Sequence, residues 1–164
     1  MPYGKIADKE FDLIREGKEH SERAENKAKK LTAWLEELLN SEYPIEAWGT
    51  KFTPRQGGLH ADLETPFGSG RVVTVLSLGE GGVQARYVFE KKFTNERDEP
   101  AFTPVWAVRV SPGGIVKTDD GEHTIMDMNA ISKHQRDNGV VEIALSAIYA
   151  IAKCDAYWVP SRTE

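Results

Sequence analysis

The tightest constraint on this chain is the stretch at residues 70–91, GRVVTVLSLGEGGVQARYVFEK. Two runs rich in β-branched and aromatic residues flank Gly79-Glu80-Gly81-Gly82, the composition of a hairpin whose turn needs the positive φ that glycine supplies. In the second run Val83, Ala85, Tyr87 and Phe89 alternate with Gln84, Arg86, Val88 and Glu90. A pleated strand of that pattern has one apolar and one mostly polar face. The first run is apolar on nearly both faces, which suits an interior strand. A central antiparallel hairpin is thus the frame that the flanks must fit.

Upstream, residues 8–40 read as helix. Phe11 and Ile14 open an apolar stripe that Ala24, Ala28, Leu31, Leu35 and Leu38 continue at steps of three and four. The stripe fades at Gly17 and Ser21, which leaves one long helix or two broken near Gly17 open. Pro44 is expected to close the segment. A short edge strand is expected near 47–52, and 59–65 alternates cleanly. Residues 93–104 carry two prolines and read as a long polar loop. Strands follow at 105–110 and 115–118. The helical pattern returns near 129 and resumes after Asn138-Gly139. The last helix, 140–153, is apolar almost all round, so it is expected to be buried in the domain or against a second copy.

This order predicts an α+β fold, with helices segregated to one face of the sheet. About 4–6 antiparallel strands pack against a long N-terminal helix and an apolar C-terminal helix. One domain covers 1–164, with helical segments at 8–40 and 127–154 and the sheet at 45–118. A chain of 164 residues suits one domain.

Charge narrows the function classes. The net charge is −5, and residues 1–40, 41–100 and 101–164 carry 8, 7 and 6 basic side chains against 9, 9 and 8 acidic ones. No third is basic, which argues against duplex DNA, where phosphate neutralisation supplies much of the affinity. No apolar run approaches the ~20 residues of a membrane span, and the start lacks the layout of a secretory signal. Cys154 is the single cysteine, in keeping with a reducing, cytoplasmic setting. It reads as an inert buried thiol at the end of an apolar helix.

The most suggestive chemical cluster is His60-x-Asp62-x-Glu64, which alternation places on one strand face. His60 and Asp62 could form an acid/base pair, and all three could bind a divalent cation. Side chains two apart on a straight strand are ~7 Å apart, however, so three seldom converge on one ion. Arg86 and Arg109 are expected on the same face, which makes cross-strand ion pairs the simpler account. His123, with Asp119, Asp120, Glu122 and Asp127, lacks calcium-loop spacing, and a turn explains its first two acids.

The leading expectation is therefore a non-enzymatic protein–protein interaction module, an inhibitor or chaperone-like adaptor that occupies a partner surface and needs no cofactor. Glu96, Asp98 and Glu99 would form an acidic rim steering a basic partner, with Trp106 or Trp158 as apolar anchor. The first alternative is a small hydrolase or ligand-binding enzyme using His60 and Asp62, or a metal on His60, Asp62 and Glu64. The second is a single-stranded nucleic-acid binder stacking bases on sheet aromatics, against which the thin basic content weighs. The apolar last helix adds a homodimer to these expectations.

Overall fold

A computed structural model describes residues 4–79, 81–130 and 132–156. Helix α1 (Asp8–Leu39) and the short helix α2 (Glu42–Trp48) precede strands β1 (Lys51–Arg55), β2 (His60–Thr65), β3 (Gly68–Gly79), β4 (Gly82–Thr94), β5 (Pro100–Val110), β6 (Ile115–Thr118) and β7 (Thr124–Asp127); helix α3 (Lys133–Lys153) is the last element among the described residues. The strands form one antiparallel meander in the order β1 to β7, curled as a half-barrel. The class is α+β, with seven strands rather than four to six. Among the described residues no helix is long and apolar enough to cross a membrane.

Both long helices pack on the same face of the sheet. Ala24, Ala28, Leu31, Leu35 and Leu39 of α1 are all at most 1% exposed; the stripe read from the sequence holds through Leu35, after which Leu39 takes the buried place and Leu38 is half-buried. The row they meet is the alternation of β4, whose Val83, Ala85, Tyr87 and Phe89 are buried and belong to the same core. Within that apolar contact Thr32 Oγ1 and Tyr87 Oη lie 2.8 Å apart, and Thr32 donates onward to the Ala28 carbonyl at 3.1 Å. The pair satisfies two buried hydroxyls that would each be costly alone. Burial pushes the Tyr87 phenol up, and the hydrogen bond with Thr32 offsets this only in part.

Helix α3 comes close to the sheet at two glycines. A Cβ on Gly139 would lie 2.6 Å from Met126 Cβ of β7, and one on Gly70 would lie 2.6 Å from the Glu90 carbonyl and 3.2 Å from Ile151 Cδ1. Gly139 thus sits mid-helix, a position where glycine costs about 1 kcal/mol relative to alanine, because the contact with β7 leaves no room for a side chain. At the other end Lys91 Nζ donates to the carbonyls of Ile151 at 2.9 Å and Cys154 at 2.6 Å. A cation there meets the last carbonyls and the negative end of the helix dipole.

Several boundaries differ from the sequence reading, each for a local reason. Helix α1 is continuous through Gly17 to Leu39. Pro44 does not terminate it; Asn40 does, its side chain bonding both the N–H and the carbonyl of Phe52. Pro44 sits in the first turn of α2, where its missing N–H costs nothing. The strand expected at 47–52 begins only at Lys51 and runs through Pro54 to Arg55, which an edge strand permits. The polar loop at 93–104 is mostly strand, with a register shift near Phe89 and Glu90 that places Pro104 opposite Glu90. The sheet spans 51–127 rather than 45–118, because the short, mixed TIMD run of β7 pairs with β6. Helix α3 starts at Lys133, where the Ser132 hydroxyl accepts from the Gln135 N–H.

The same substitution should have opposite outcomes at two helical glycines. Gly139→Ala is expected to lower the melting temperature, because displacing Met126 costs about 1–3 kcal/mol and exceeds the gain in helix propensity. Gly17→Ala meets open space and should raise helix content. Thermal melts followed by circular dichroism check both.

Candidate functional site

The outer face of the sheet, away from the helices, carries the polar half of each strand's alternation. His60, Asp62 and Glu64 all lie there, opposite Arg55, Thr53 and Lys51 of β1. Arg55 and Asp62 form an ion pair at 2.8 Å with both side chains about half exposed, and Glu64 accepts from the Ser69 hydroxyl at 2.6 Å. The structure does not bring the three together: among the described residues no group of three or more His, Cys, Asp or Glu side chains could hold a metal ion. Farther along the face Arg71 bonds Glu90 at 2.7 Å and stacks 3.7 Å from the centre of the Phe102 ring.

Arg86 and Arg109 do share this face, facing each other across β4 and β5, but their acid is Asp119 rather than the carboxylates of β2. Arg86 reaches both Asp119 carboxylate oxygens through Nε and Nη2, each at 2.9 Å. Arg109 Nε donates to the Asp119 carbonyl at 2.6 Å and lies 3.4 Å from its carboxylate. The Arg86 hydrogen bond, helped by the charges of both guanidinium groups, holds the Asp119 carboxyl below its usual range, with partial burial opposing. The Arg86 guanidinium is raised in turn, first through its bond to Asp119. Sequence spacing gave no sign of this trio, because Asp119 belongs to the β6–β7 turn and folds back over two strands.

An open cleft of about 720 Å³ lies beside the trio, lined by Gln84, Arg109, Ser111, Lys117, Asp119 and Asp120 among others. Asp120 is itself occupied, accepting from the Thr118 hydroxyl and the Glu122 N–H, which hold it below the ordinary carboxylate value. His123 lies exposed in the same turn. The carboxylates here serve as hydrogen-bond acceptors in a turn.

The expected partner-binding residues fall on a different surface. Glu96, Asp98 and Glu99 are exposed in the β4–β5 connection. That connection is short and built rather than long: Asn95 Oδ1 accepts from the N–H groups of Arg97 at 2.9 Å and Glu99 at 3.0 Å, and Asp98 takes a left-handed φ of 61°. Trp106 is half-buried, its ring 5.7 Å from that of Phe89. It lines an open groove of about 560 Å³ between β5 and α3 with Pro104, Val105, Tyr149, Lys153 and Cys154. Six residues of strand separate Glu99 from Trp106, roughly 20 Å, so anchor and rim lie along one strand without touching. Trp158 lies outside the described residues.

Helix α3 is not buried all round. Its inner side is used by the core, yet Leu145 is 43% and Tyr149 66% exposed. Cys154 is half-buried in the groove rather than enclosed in the core. Compared with protein-family models, curated proteins and solved structures, the chain matches none.

The Asp119 arrangement sets an acid dependence. Its native carboxyl lies below the unfolded value of about 4, so its contribution is fully present above that value and is lost as pH falls through the native one. Asp119→Asn should cost roughly 0.5–1 kcal/mol near neutral pH, the solvent-screened range for a partly exposed pair. The gap between variant and parent should close in strong acid. Urea unfolding at both pH values measures it.

Proposed function

We propose that this chain is a protein–protein interaction module, acting as an inhibitor or chaperone-like adaptor that occupies a partner through the groove between β5 and α3. The observation that carries the reading is the pair Trp106 and Tyr149. Two large amphipathic rings, one from β5 and one from the side of α3 that the core does not use, line one groove. Aromatic residues in pockets surrounded by polar groups are where binding energy concentrates at protein interfaces. Glu96, Asp98 and Glu99, at the start of the same strand, supply negative charge that favours a partner with a basic segment. An extended segment of six or more residues would reach from the acidic turn to the groove.

Affinity purification from the native host with the parent chain, Tyr149→Ala, Trp106→Ala and a triple Glu96→Lys/Asp98→Lys/Glu99→Lys variant tests this reading. A genuine partner is retained by the parent and lost by the groove variants, since truncating an anchor costs about 2 kcal/mol, roughly 30-fold in affinity. The rim variant should bind more weakly at low salt and differ little from the parent at high salt. Circular dichroism confirms that each variant is folded. Retention of every captured protein by both groove variants would rule the groove out.

A further inference from the structure

Helix α1 extends well beyond the sheet it packs on. Its first fully buried residue is Ala24, preceded only by the half-buried Leu13, Gly17, His20 and Ser21, so residues 8–23 form a thinly covered stretch of about 24 Å at 1.5 Å per residue. The exit point follows from two contacts. Lys29 lies against Gly58 in the β1–β2 connection, and Lys27 against Gly114 in the β5–β6 connection. In an antiparallel meander these connections share one end of the sheet with that of β3 and β4. The projecting turns therefore leave at the end where the β3–β4 hairpin also overhangs. Pairing of β3 with β2 stops at Val73, and β5 meets β4 only from Ala85, so past the bond of the Thr74 N–H to the Leu59 carbonyl the two strands pair with each other.

Both overhangs carry exposed apolar side chains. Leu13 and Gly17, both half-buried, continue the stripe of Ala24, Ala28 and Leu31 by helical period, and Ile14 and Phe11, off that line, are 62% and 55% exposed. On the hairpin Leu76 and Leu78 follow the inward row of Val72 and are 37% and 43% exposed. The projecting helix also has no side-chain N-cap and holds Gly17. A segment of that length with such a residue is marginal in water without packing.

We propose that a second copy of this chain covers these surfaces, with the projecting turns of each α1 lying antiparallel to the other α1 and over the other's β3–β4 hairpin. Charge is the reason to choose a copy over an unrelated partner. Residues 8–22 hold six acids and three bases, whereas residues 23–30 hold four bases and one acid. An antiparallel arrangement sets the acidic end of each helix along the basic middle of the other, and two-fold symmetry makes the match twice. Ile14 and Phe11 then meet Leu76 and Leu78, apolar faces that each chain offers at the same end. A parallel pairing would align like charges. This contact is separate from the groove of Trp106 and Tyr149.

Sedimentation equilibrium of the full chain tests it. A dimer is expected at low salt, with a dissociation constant that rises as salt is added. Ile14→Glu and Leu78→Glu, both at exposed positions, should each raise that constant by about tenfold or more. Lys30→Glu should weaken the dimer, and adding Glu10→Lys should restore it, since the two residues are too far apart to interact within one helix. Tyr149→Ala should leave the dimer unchanged, and thermal melts verify folding. A chain that stays monomeric at roughly 1 mM, a dimer indifferent to Ile14→Glu and Leu78→Glu, or one abolished by Tyr149→Ala would each overturn the proposal.

Discussion

A phenol buried in a hydrocarbon core needs a hydrogen-bond partner, and for Tyr87 that partner is Thr32. Tyr87 stands in the central strand β4, fully buried, and Thr32 stands on the inner side of α1. The contact fixes both the height and the rotation of the helix on the sheet. Rotating α1 by one residue would strand two hydroxyls, at a cost of about 1–3 kcal/mol each, and would lift the Ala24–Leu39 stripe out of the hollow. The small residues Ala24 and Ala28 bring the helix near the sheet, and larger leucines fill the space toward its C-terminal end.

Helix α3 completes the layer under a different restraint. It meets β7 at Gly139, where a Cβ would collide with Met126, and β3 at Gly70, where a Cβ would crowd Ile151. Lys91, on the inward row of β4, reaches the carbonyls at its C-terminus. The helix is thus held by close packing at two points and by charge at the end. What it does not use, the side bearing Leu145 and Tyr149, is left facing outward beside Trp106. The groove is a consequence of how closely α3 approaches the sheet.

On the outer face, pleating alone accounts for the polar side chains, and the turns decide their partners. Arg55 takes Asp62 and Arg71 takes Glu90 across neighbouring strands. Asp119 instead crosses from the β6–β7 turn to Arg86 and Arg109. Charges paired in this way tie neighbouring strands of the face together. Apolar surface is left uncovered elsewhere, in the groove and at the end where α1 and the β3–β4 hairpin outrun the rest of the fold.

Periodicity was enough to determine that the core is a helix stripe laid on an alternating β4, since 3.6-residue and two-residue repeats are intrinsic to the backbone. It also separated the polar face bearing His60, Asp62, Glu64, Arg86 and Arg109 from the buried one. The seventh strand escaped it because TIMD has no clear alternation and pairs only through its neighbour β6. The continuity of α1 escaped it because Gly17 breaks the stripe but not the hydrogen bonding. Which acid meets Arg86, how α3 divides between core and groove, and where α1 leaves the sheet depend on residues distant in the chain. Those contacts form only when the sheet curls, so folding in three dimensions decided them and no local pattern carries them.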